Sequence, residues 1–457
     1  MALSIVILAA GQGKRMYSEQ PKVLHKLAGK ALLEHVADTA YTLAPSQPSI
    51  VIFGHQGERV RHTLANLNVQ WVEQTEQLGT GHALQQALPH LNSDNRVLVL
   101  YGDVPLTSTT TLKSLIRNTP ADAIGIITAH IPNPTGFGRI IRNAEHQILD
   151  IIEEKDASNE QRSISEINSG IYLLPANHLA KWLPKLTNNN SQKEYYLTDI
   201  IKMAIEENVT IYSDQPAQHE EILGVNNRLQ LAQLERFHQQ KNAEKLMLQG
   251  VALLDPMRFD VRGELTVGRD VTIDVNVIIE GRVIIGNQCS IGPNTILRNV
   301  ILGERVEIKA NSIIDGAEIA SDCIVGPFAR IRPGTILSAK SHVGNFVEIK
   351  NSEIGEGSKV NHLSYIGDSG IGKRVNIGAG TITCNYDGLN KQRTTIGDDV
   401  FIGSNTSLVA PLSIGEGAYV ASASIITRNA PAHQLTLCRA REQRSIANWQ
   451  RPKKKES

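Results

Sequence analysis

From Gly263 onward an apolar residue returns at every sixth position, a beat that fits neither the 3.6-residue period of a helix nor the alternation of a strand. Val267, Ile273, Ile279, Ile285, Ile291 and Leu297 keep this register, and so do Ile319, Val325, Ile331, Leu337, Val343 and Ile349. After a slip come Ile354, Val360 and Ile366, then Ile371 and Ile377, and a last set of Ile396, Ile402, Leu408, Ile414, Val420 and Ile426. The residue that follows is often small, as in IG, VG and VA pairs. A chain can bury one aliphatic residue in six only by coiling: three short strands complete a turn, and each points one side chain inward onto its equivalents above and below. A small residue helps each corner. Such a solenoid also accounts for 4% aromatic residues beside 36 glycines, because a narrow coil holds stacked Ile, Val and Leu rather than rings. The register breaks at length across Thr383–Thr395, a polar stretch that must loop out, and insertions of this kind commonly map to one functional face.

The preceding residues have a different pattern. Apolar runs at Ser4–Leu8, Ile50–Phe53, Val97–Leu100, Gly125–Thr128, Gly170–Leu174 and Thr210–Ser213 alternate with helical segments such as Leu32–Leu43 and Thr110–Arg117. Several are continuous, as strands covered on both faces are, so the class is α/β with a mostly parallel sheet. Near Asn227–Gly250, Leu231, Leu234, Phe237, Ala243, Leu246 and Met247 recur at helical spacing, with Gly250 as a stop. This helix reads as a rigid linker, or as the last helix of the first domain. At ~150 residues per domain, 457 residues give two or three domains. The expected division is 1–228, a helical linker at 229–249, and 250–457.

Forty-six Lys and Arg balance 46 Asp and Glu, which excludes a dedicated nucleic-acid binder with its strong basic excess. No apolar run approaches the ~20 residues of a membrane span, and the N-terminus reads as an opening strand, not a signal peptide. Cys289, Cys323, Cys384 and Cys438 form neither a disulfide framework nor a metal-ligand cluster, which points to the cytoplasm.

Leu8, Ala9, Ala10, Gly11, Gln12, Gly13, Lys14, Arg15 and Met16 follow the first strand directly. A glycine-rich turn there offers backbone N–H groups to an anion. It is no Walker A loop, lacking a closing Gly-Lys-Ser/Thr, and no dinucleotide fingerprint, because Met16 occupies the third glycine position. Taken alone, Gly11-x-Gly13 also fits a plain tight turn, but Arg15 and Lys22 add two cations suited to a polyphosphate. Tyr101, Gly102 and Asp103 end the run Val97–Leu100, where open α/β sheets bind ligands, and a carboxylate there suits Mg²⁺. A helix-capping Asp is the alternative.

Together these motifs closely resemble the sugar-phosphate nucleotidylyltransferases. The likeness runs through LAAGxGxRM…PK, Gln74 with Gly79 and Thr80 in EQLGTGHA, Tyr101–Gly102–Asp103, Gly138, Glu153, Asn168 and Asn226. With the hexapeptide solenoid behind it, the whole chain resembles one family: the bacterial bifunctional N-acetylglucosamine-1-phosphate uridylyltransferases/glucosamine-1-phosphate N-acetyltransferases. The resemblance implies a left-handed parallel β-helix as the rear domain. It implies that Leu8–Gly11, Gln74, Gly79 and Thr80 contact the uracil nucleotide and that Arg15 and Lys22 face its phosphates. Asp103 and Asn226 would bind Mg²⁺, and Gly138, Glu153 and Asn168 the sugar.

Acetyl transfer to an amino sugar needs a base to deprotonate the ammonium, and a histidine suits that task. The resemblance singles out His362 of the chain's 14 histidines as proton acceptor. Arg332, Lys350, Tyr365 and Asn376 would hold the sugar phosphate, and Ala379, Asn385, Tyr386, Ser404, Ser422 and Arg439 would contact acetyl-CoA. Ser404 is also a candidate oxyanion donor. Ser422 stands where the family has a small alanine, and Ala440–Gln443 departs from the family form. The basic tail Arg451–Lys455 reads as a solvated terminus or a partner for the CoA phosphates. A solenoid offers flat faces, so sites between subunits of a homotrimer are expected. Two other readings are a nucleotidylyltransferase with a merely regulatory solenoid, of the ADP-glucose pyrophosphorylase type, and a non-catalytic assembly subunit. Against them stand the Arg332/Lys350/His362/Tyr365 set and the intact Arg15, Lys22 and Asp103.

Overall fold

A computed structural model describes residues 2–54, 56–439 and 445, so Ala440–Gln443 and the tail Arg451–Lys455 lie outside the described residues. Two compact units divide between His238 and Gln239. The helix Arg228–Leu248 runs through that division. It gives Leu234 to the core of the first unit and Ala243 and Leu246 to that of the second. Gly250, at φ 96°, ends it in the left-handed conformation that glycine adopts most easily.

The first unit is built on a nine-stranded sheet. From one edge to the other its strands are Ile211–Asp214, Ile124–His130, Glu166–Pro175, Arg96–Tyr101, Leu3–Ala9, Ser49–Phe53 and Val69–Glu73. The hairpin Arg139–Arg142 and Ile148–Ile152 joins Glu166–Pro175. The expected strands all form. The sheet is mixed, however, because Glu166–Pro175 runs antiparallel to both its long neighbours. Leu3–Ala9 lies between Arg96–Tyr101 and Ser49–Phe53 and is parallel to both. Its carboxyl end therefore opens into the crevice where such sheets bind ligands.

The second unit is a left-handed parallel β-helix. Inward residues stack on one 17 or 18 positions later, as Ile273 on Ile291 and Ile291 on Ile308, and on one 25 positions later across the insertion, as Ile371 on Ile396. The inward column is nearly sealed: Ile279, Leu297, Ile331, Ile349, Ile366, Ile402 and Leu408 are all buried. Where a small residue follows an inward aliphatic, it does not make the corner. It lets successive coils approach, since a Cβ on Gly344 would lie 2.0 Å from the Asn361 carbonyl oxygen. Corners are turned by left-handed residues one or two positions further on, such as Asn276, Asn294, Asn299 and Asn351. Asparagine tolerates that conformation better than most.

The slips in the six-residue beat share one place. The steps Leu297–Leu302, Ile314–Ile319, Ile349–Ile354 and Ile366–Ile371 all drop one residue at the same corner, between the second and third sides. The insertion sits at this corner too, and it is shorter than Thr383–Thr395. Strands Ile382–Cys384 and Thr394–Ile396 hold both ends, and buried Thr383 fills an inward slot. Among the described residues, no helix is long and apolar enough to cross a membrane, and all four cysteines are free thiols.

The coil's first edge is closed by one buried amide. Gln239 donates from Nε2 to the Val261 carbonyl (2.9 Å) and accepts the Val261 N–H at Oε1 (2.8 Å). Gln239→Leu orphans both backbone groups of Val261, at about 1–3 kcal/mol for each buried unsatisfied group. A lowered denaturation midpoint without a change of slope is the expected result, and an unchanged midpoint would show that the clamp is idle.

Two candidate active sites

In the first unit, the chain leaves Ala9 and runs through the glycine-rich turn into a short turn of helix, Lys14–Met16. Met16 anchors that turn: it is buried against Leu27, Leu32, Val225 and Leu234, which leaves Arg15 exposed. The residue that spoils the dinucleotide fingerprint thus supplies the loop's hydrophobic foot. Gly13, at φ 63°, is required twice over, since a Cβ there would also come within 2.7 Å of the Lys22 Cβ. That close approach delivers Lys22 to the crevice. Its ammonium donates to Asp103 Oδ2 and, at 3.3 Å, to Asn226 Oδ1. Asp103 and Asn226 are held together by their own backbones, as the Val225 N–H donates to the Asp103 carbonyl at 2.9 Å.

These groups line a cavity of about 540 Å³, together with Leu8, Ala9, Ala10, Gly11, Arg15, Gln74, Gly79, Thr80 and Tyr101. Gly102 lies beneath it, where a Cβ would press on Ala9 at 3.1 Å. Gly138, Glu153 and Asn168 do not line this cavity. Glu153 opens instead into a second one of about 500 Å³, with Asp156, Tyr196 and Asp199. Burial raises its carboxyl above the usual range, and a hydrogen bond from Thr198 (3.3 Å) only partly offsets this. Burial also pushes the Tyr101 phenol well up, with the charges of Glu153 and Asp103 adding to it. Asn168 donates to the Tyr172 hydroxyl (2.7 Å) and accepts the Gly170 N–H (3.0 Å), while its own N–H bonds the Gly138 carbonyl (2.9 Å). Gln77 and Glu194 line the first cavity without having been expected there.

In the second unit, the inward residues Val343, Val360, Ile377, Ile402 and Val420 share one side of the coil. Two positions beyond each of them stand Asn345, His362, Ala379, Ser404 and Ser422, one per coil in a single file along a corner. Four of these five are sequence-named residues, brought into line by the beat itself. His362 is exposed, and its Nδ1 lies 3.1 Å from Asn345 Oδ1. An amide oxygen can only accept, so Nδ1 carries the proton and Nε2 keeps its lone pair. Asn345 was legible after all, because it occupies the His362 position one coil earlier.

Arg332, Lys350 and Tyr365 gather on the next side. Arg332 pairs with Glu348 at 2.7 Å, and Glu348 stacks beside Tyr365. Lys350 pairs with Asp368 at 3.2 Å. Asp368 also receives hydrogen bonds from Asn351 (2.7 Å) and Asn385. Burial works against its charge, but the donors Asn351, Asn385 and Lys350 outweigh it and hold the carboxyl below its usual range. Lys391, in the inserted loop, sits so close to Lys350 that the hydrogen bond and the charge of that ammonium push its own amine down. Asp368 and Lys391 carry no signal in the beat: one turns a corner, the other lies outside the coil. Asn376 stands apart on the first side's outer face, between Lys359 and Phe401. Tyr386 is exposed in the loop, and Arg439 is exposed at the end of the continuous described stretch.

Comparisons with known proteins agree with this division. Residues 5–170 match the MobA-like NTP transferase domain, and residues 261–345 match the GMPPB C-terminal domain. The chain is 53% identical to the Bifunctional protein GlmU of Marinobacter nauticus over 99% of both chains. It is 53% identical to that of Stutzerimonas stutzeri over 100% of both, and 54% identical to that of Nitrosospira multiformis over 99% of this chain and 98% of the relative. With a nucleotidyltransferase crevice in front, a β-helix behind, and this identity sustained from end to end, the chain belongs to the bifunctional GlmU family.

Proposed function

We propose that this protein makes UDP-N-acetylglucosamine in two steps. The second unit acetylates glucosamine-1-phosphate with acetyl-CoA, and the first then transfers the uridylyl group of UTP to the acetylated product, releasing pyrophosphate. The observation that carries the bifunctional reading over a merely supportive coil is the outward imidazole of His362, with Nδ1 engaged and Nε2 free.

In acetyl transfer, His362 Nε2 takes a proton from the sugar ammonium, and the freed amine attacks the thioester carbonyl. Asn345 keeps the ring in its basic tautomer. Ser404, in the same file, donates to the developing oxyanion; as the tetrahedral adduct collapses the nitrogen gives up its second proton, CoA leaves as the thiol, and the remaining proton passes to solvent. Arg332, Lys350 and Lys391 give the sugar phosphate a cationic seat, with Tyr365 as a polar contact on the same side and Asn376 as one offered from the first side. Ala379, Asn385, Tyr386, Ser422 and Arg439 face acetyl-CoA.

In uridylyl transfer the nucleophile is already an anionic phosphate oxygen, so no general base is required. The task is to neutralise charge and align the attack on the α-phosphorus. Arg15 and Lys22 supply cations, and the turn through Gly11 supplies N–H groups. Gln74, Gly79 and Thr80 seat the base, while Gly138, Glu153 and Asn168 seat the sugar. Asp103 and Asn226 fit Mg²⁺, since both turn a hard oxygen toward the Lys22 ammonium, which marks a seat for positive charge. The metal would supply further neutralisation of the phosphates.

The protein is proposed to work in the cytoplasm as a homotrimer through its β-helix. In support, the corner beside His362 departs from asparagine to the apolar Phe328, Phe346 and Leu363, all exposed, with the two rings stacked 5.2 Å apart. An apolar ridge beside a half-built site suits a neighbouring subunit.

The two activities should separate cleanly. His362→Ala should lower acetyl transfer about 10²–10⁴-fold and leave pyrophosphate release from pre-acetylated sugar unchanged. Lys22→Ala should do the reverse, lowering pyrophosphate release by at least about 10²-fold. An H362A enzyme that still releases CoA at the wild-type rate would refute the assignment. Light scattering should give about 150 kDa, three times the chain's 50.0 kDa, whereas a monomeric mass would contradict the trimer.

A further inference from the structure

We infer that His82 is a positioning residue that sets base selectivity: it holds the Gln74 amide with its oxygen toward the nucleotide cavity, so that a pyrimidine bearing an N3–H is accepted and cytosine refused. This rests on the reading that the 540 Å³ cavity takes a nucleoside triphosphate.

Gln74 follows the strand Val69–Glu73 and is fixed by its own N–H, which donates to the Phe53 carbonyl at 2.8 Å. The residue is only 2% exposed, yet it lines the cavity. The amide nitrogen lies 3.2 Å from the Gly79 carbonyl oxygen and 3.0 Å from His82 Nδ1. A carbonyl oxygen can only accept, so the nitrogen must face it. Its second N–H then points at His82 Nδ1, which must be the bare nitrogen of the ring. Both donors are thereby spent inside the protein, and Oε1 is the group left for a ligand. Turning the amide over would set Oε1 against two acceptors at a site with almost no water to relieve the conflict.

His82 is itself steadied from two directions. It stands on the helix Thr80–Ala87, with its ring tilted 36° to that of Tyr195 at 6.3 Å. Gln86 Nε2 competes for the ring from the other side, 3.2 Å from His82 Nε2. Only one ring nitrogen can accept. The more deeply buried Gln74 takes it, because Gln86 is less buried and its amide nitrogen has the His82 carbonyl as a partner at 3.1 Å.

An outward carbonyl oxygen reads the Watson–Crick edge of the base. Uracil and thymine place N3–H between two carbonyls and can donate to Oε1. Cytosine places a lone pair there, and two acceptors would meet in a buried site. A site built to pair a polar edge discriminates strongly against the analogue that cannot complete it.

The test compares wild type, His82→Asn and His82→Leu, measuring kcat/KM for UTP and for CTP by pyrophosphate release with N-acetylglucosamine-1-phosphate and Mg²⁺. Asn carries Oδ1 near the place of Nδ1 and keeps the acceptor, whereas Leu keeps the bulk and loses it. H82N should retain the UTP:CTP ratio, and H82L should lower it roughly 3–10-fold. An H82L ratio equal to wild type, whatever its overall rate, would overturn the inference, as would an equal loss in H82N and H82L. H82A reads the same ratio if H82L does not fold by circular dichroism. Wild-type protein that releases no pyrophosphate from UTP would instead overturn the nucleotide reading itself, and this inference with it.

Discussion

Everything in the second unit depends on one packing constraint: an inward aliphatic residue must stack on its counterpart in the next coil while the two backbones lie almost in contact. Where a glycine follows the inward position, as Gly344 follows Val343, it permits that approach. Once it is satisfied, every outward position recurs in a file along the coil, and chemistry can be assembled by repetition. Asn345, His362, Ala379, Ser404 and Ser422 form such a file on four consecutive steps of the ladder. The stack alone fixes what lies above and below His362.

The first unit meets the opposite problem, since its site must draw residues from distant parts of the chain. Three close approaches do this. Gly13 admits Lys22, the Asp103 carbonyl captures the Val225 N–H, and Met16 pins the glycine-rich turn into a small apolar cluster. The capture of Lys22 by both Asp103 and Asn226 shows how strongly this point of the crevice calls for positive charge. Like-signed oxygen ligands would repel one another if nothing cationic sat between them.

Much of this was legible in the residues. A six-residue period can be satisfied in few ways, and the inward column followed it almost residue for residue. The helix Leu32–Leu43 formed with the bounds that its pattern indicated. What the pattern misjudged were local details decided by geometry. The antiparallel course of Glu166–Pro175 leaves no mark on a strand covered on both faces, because a continuous apolar run reads the same in either direction. The insertion reads longer than it is because Thr383 and Thr394 are polar yet buried. Glu153 was expected at the sugar, and its place in a cavity apart from the glycine-rich turn could not be read beforehand, since a short motif carries no information about the direction of a side chain. Asp368 escaped notice for a related reason. Its importance comes from Lys350, Asn351 and Asn385, which approach it from neighbouring coils and the loop root rather than from adjacent positions in the chain.

The central claim is that one polypeptide performs both chemistries in a fixed order. It is tested most directly by giving the wild-type protein glucosamine-1-phosphate, acetyl-CoA, UTP and Mg²⁺ together and following free CoA and pyrophosphate in the same sample. The account predicts that both appear, with pyrophosphate lagging behind CoA and absent when acetyl-CoA is withheld. Pyrophosphate formed only from added N-acetylglucosamine-1-phosphate, with no CoA released under any condition, would contradict it.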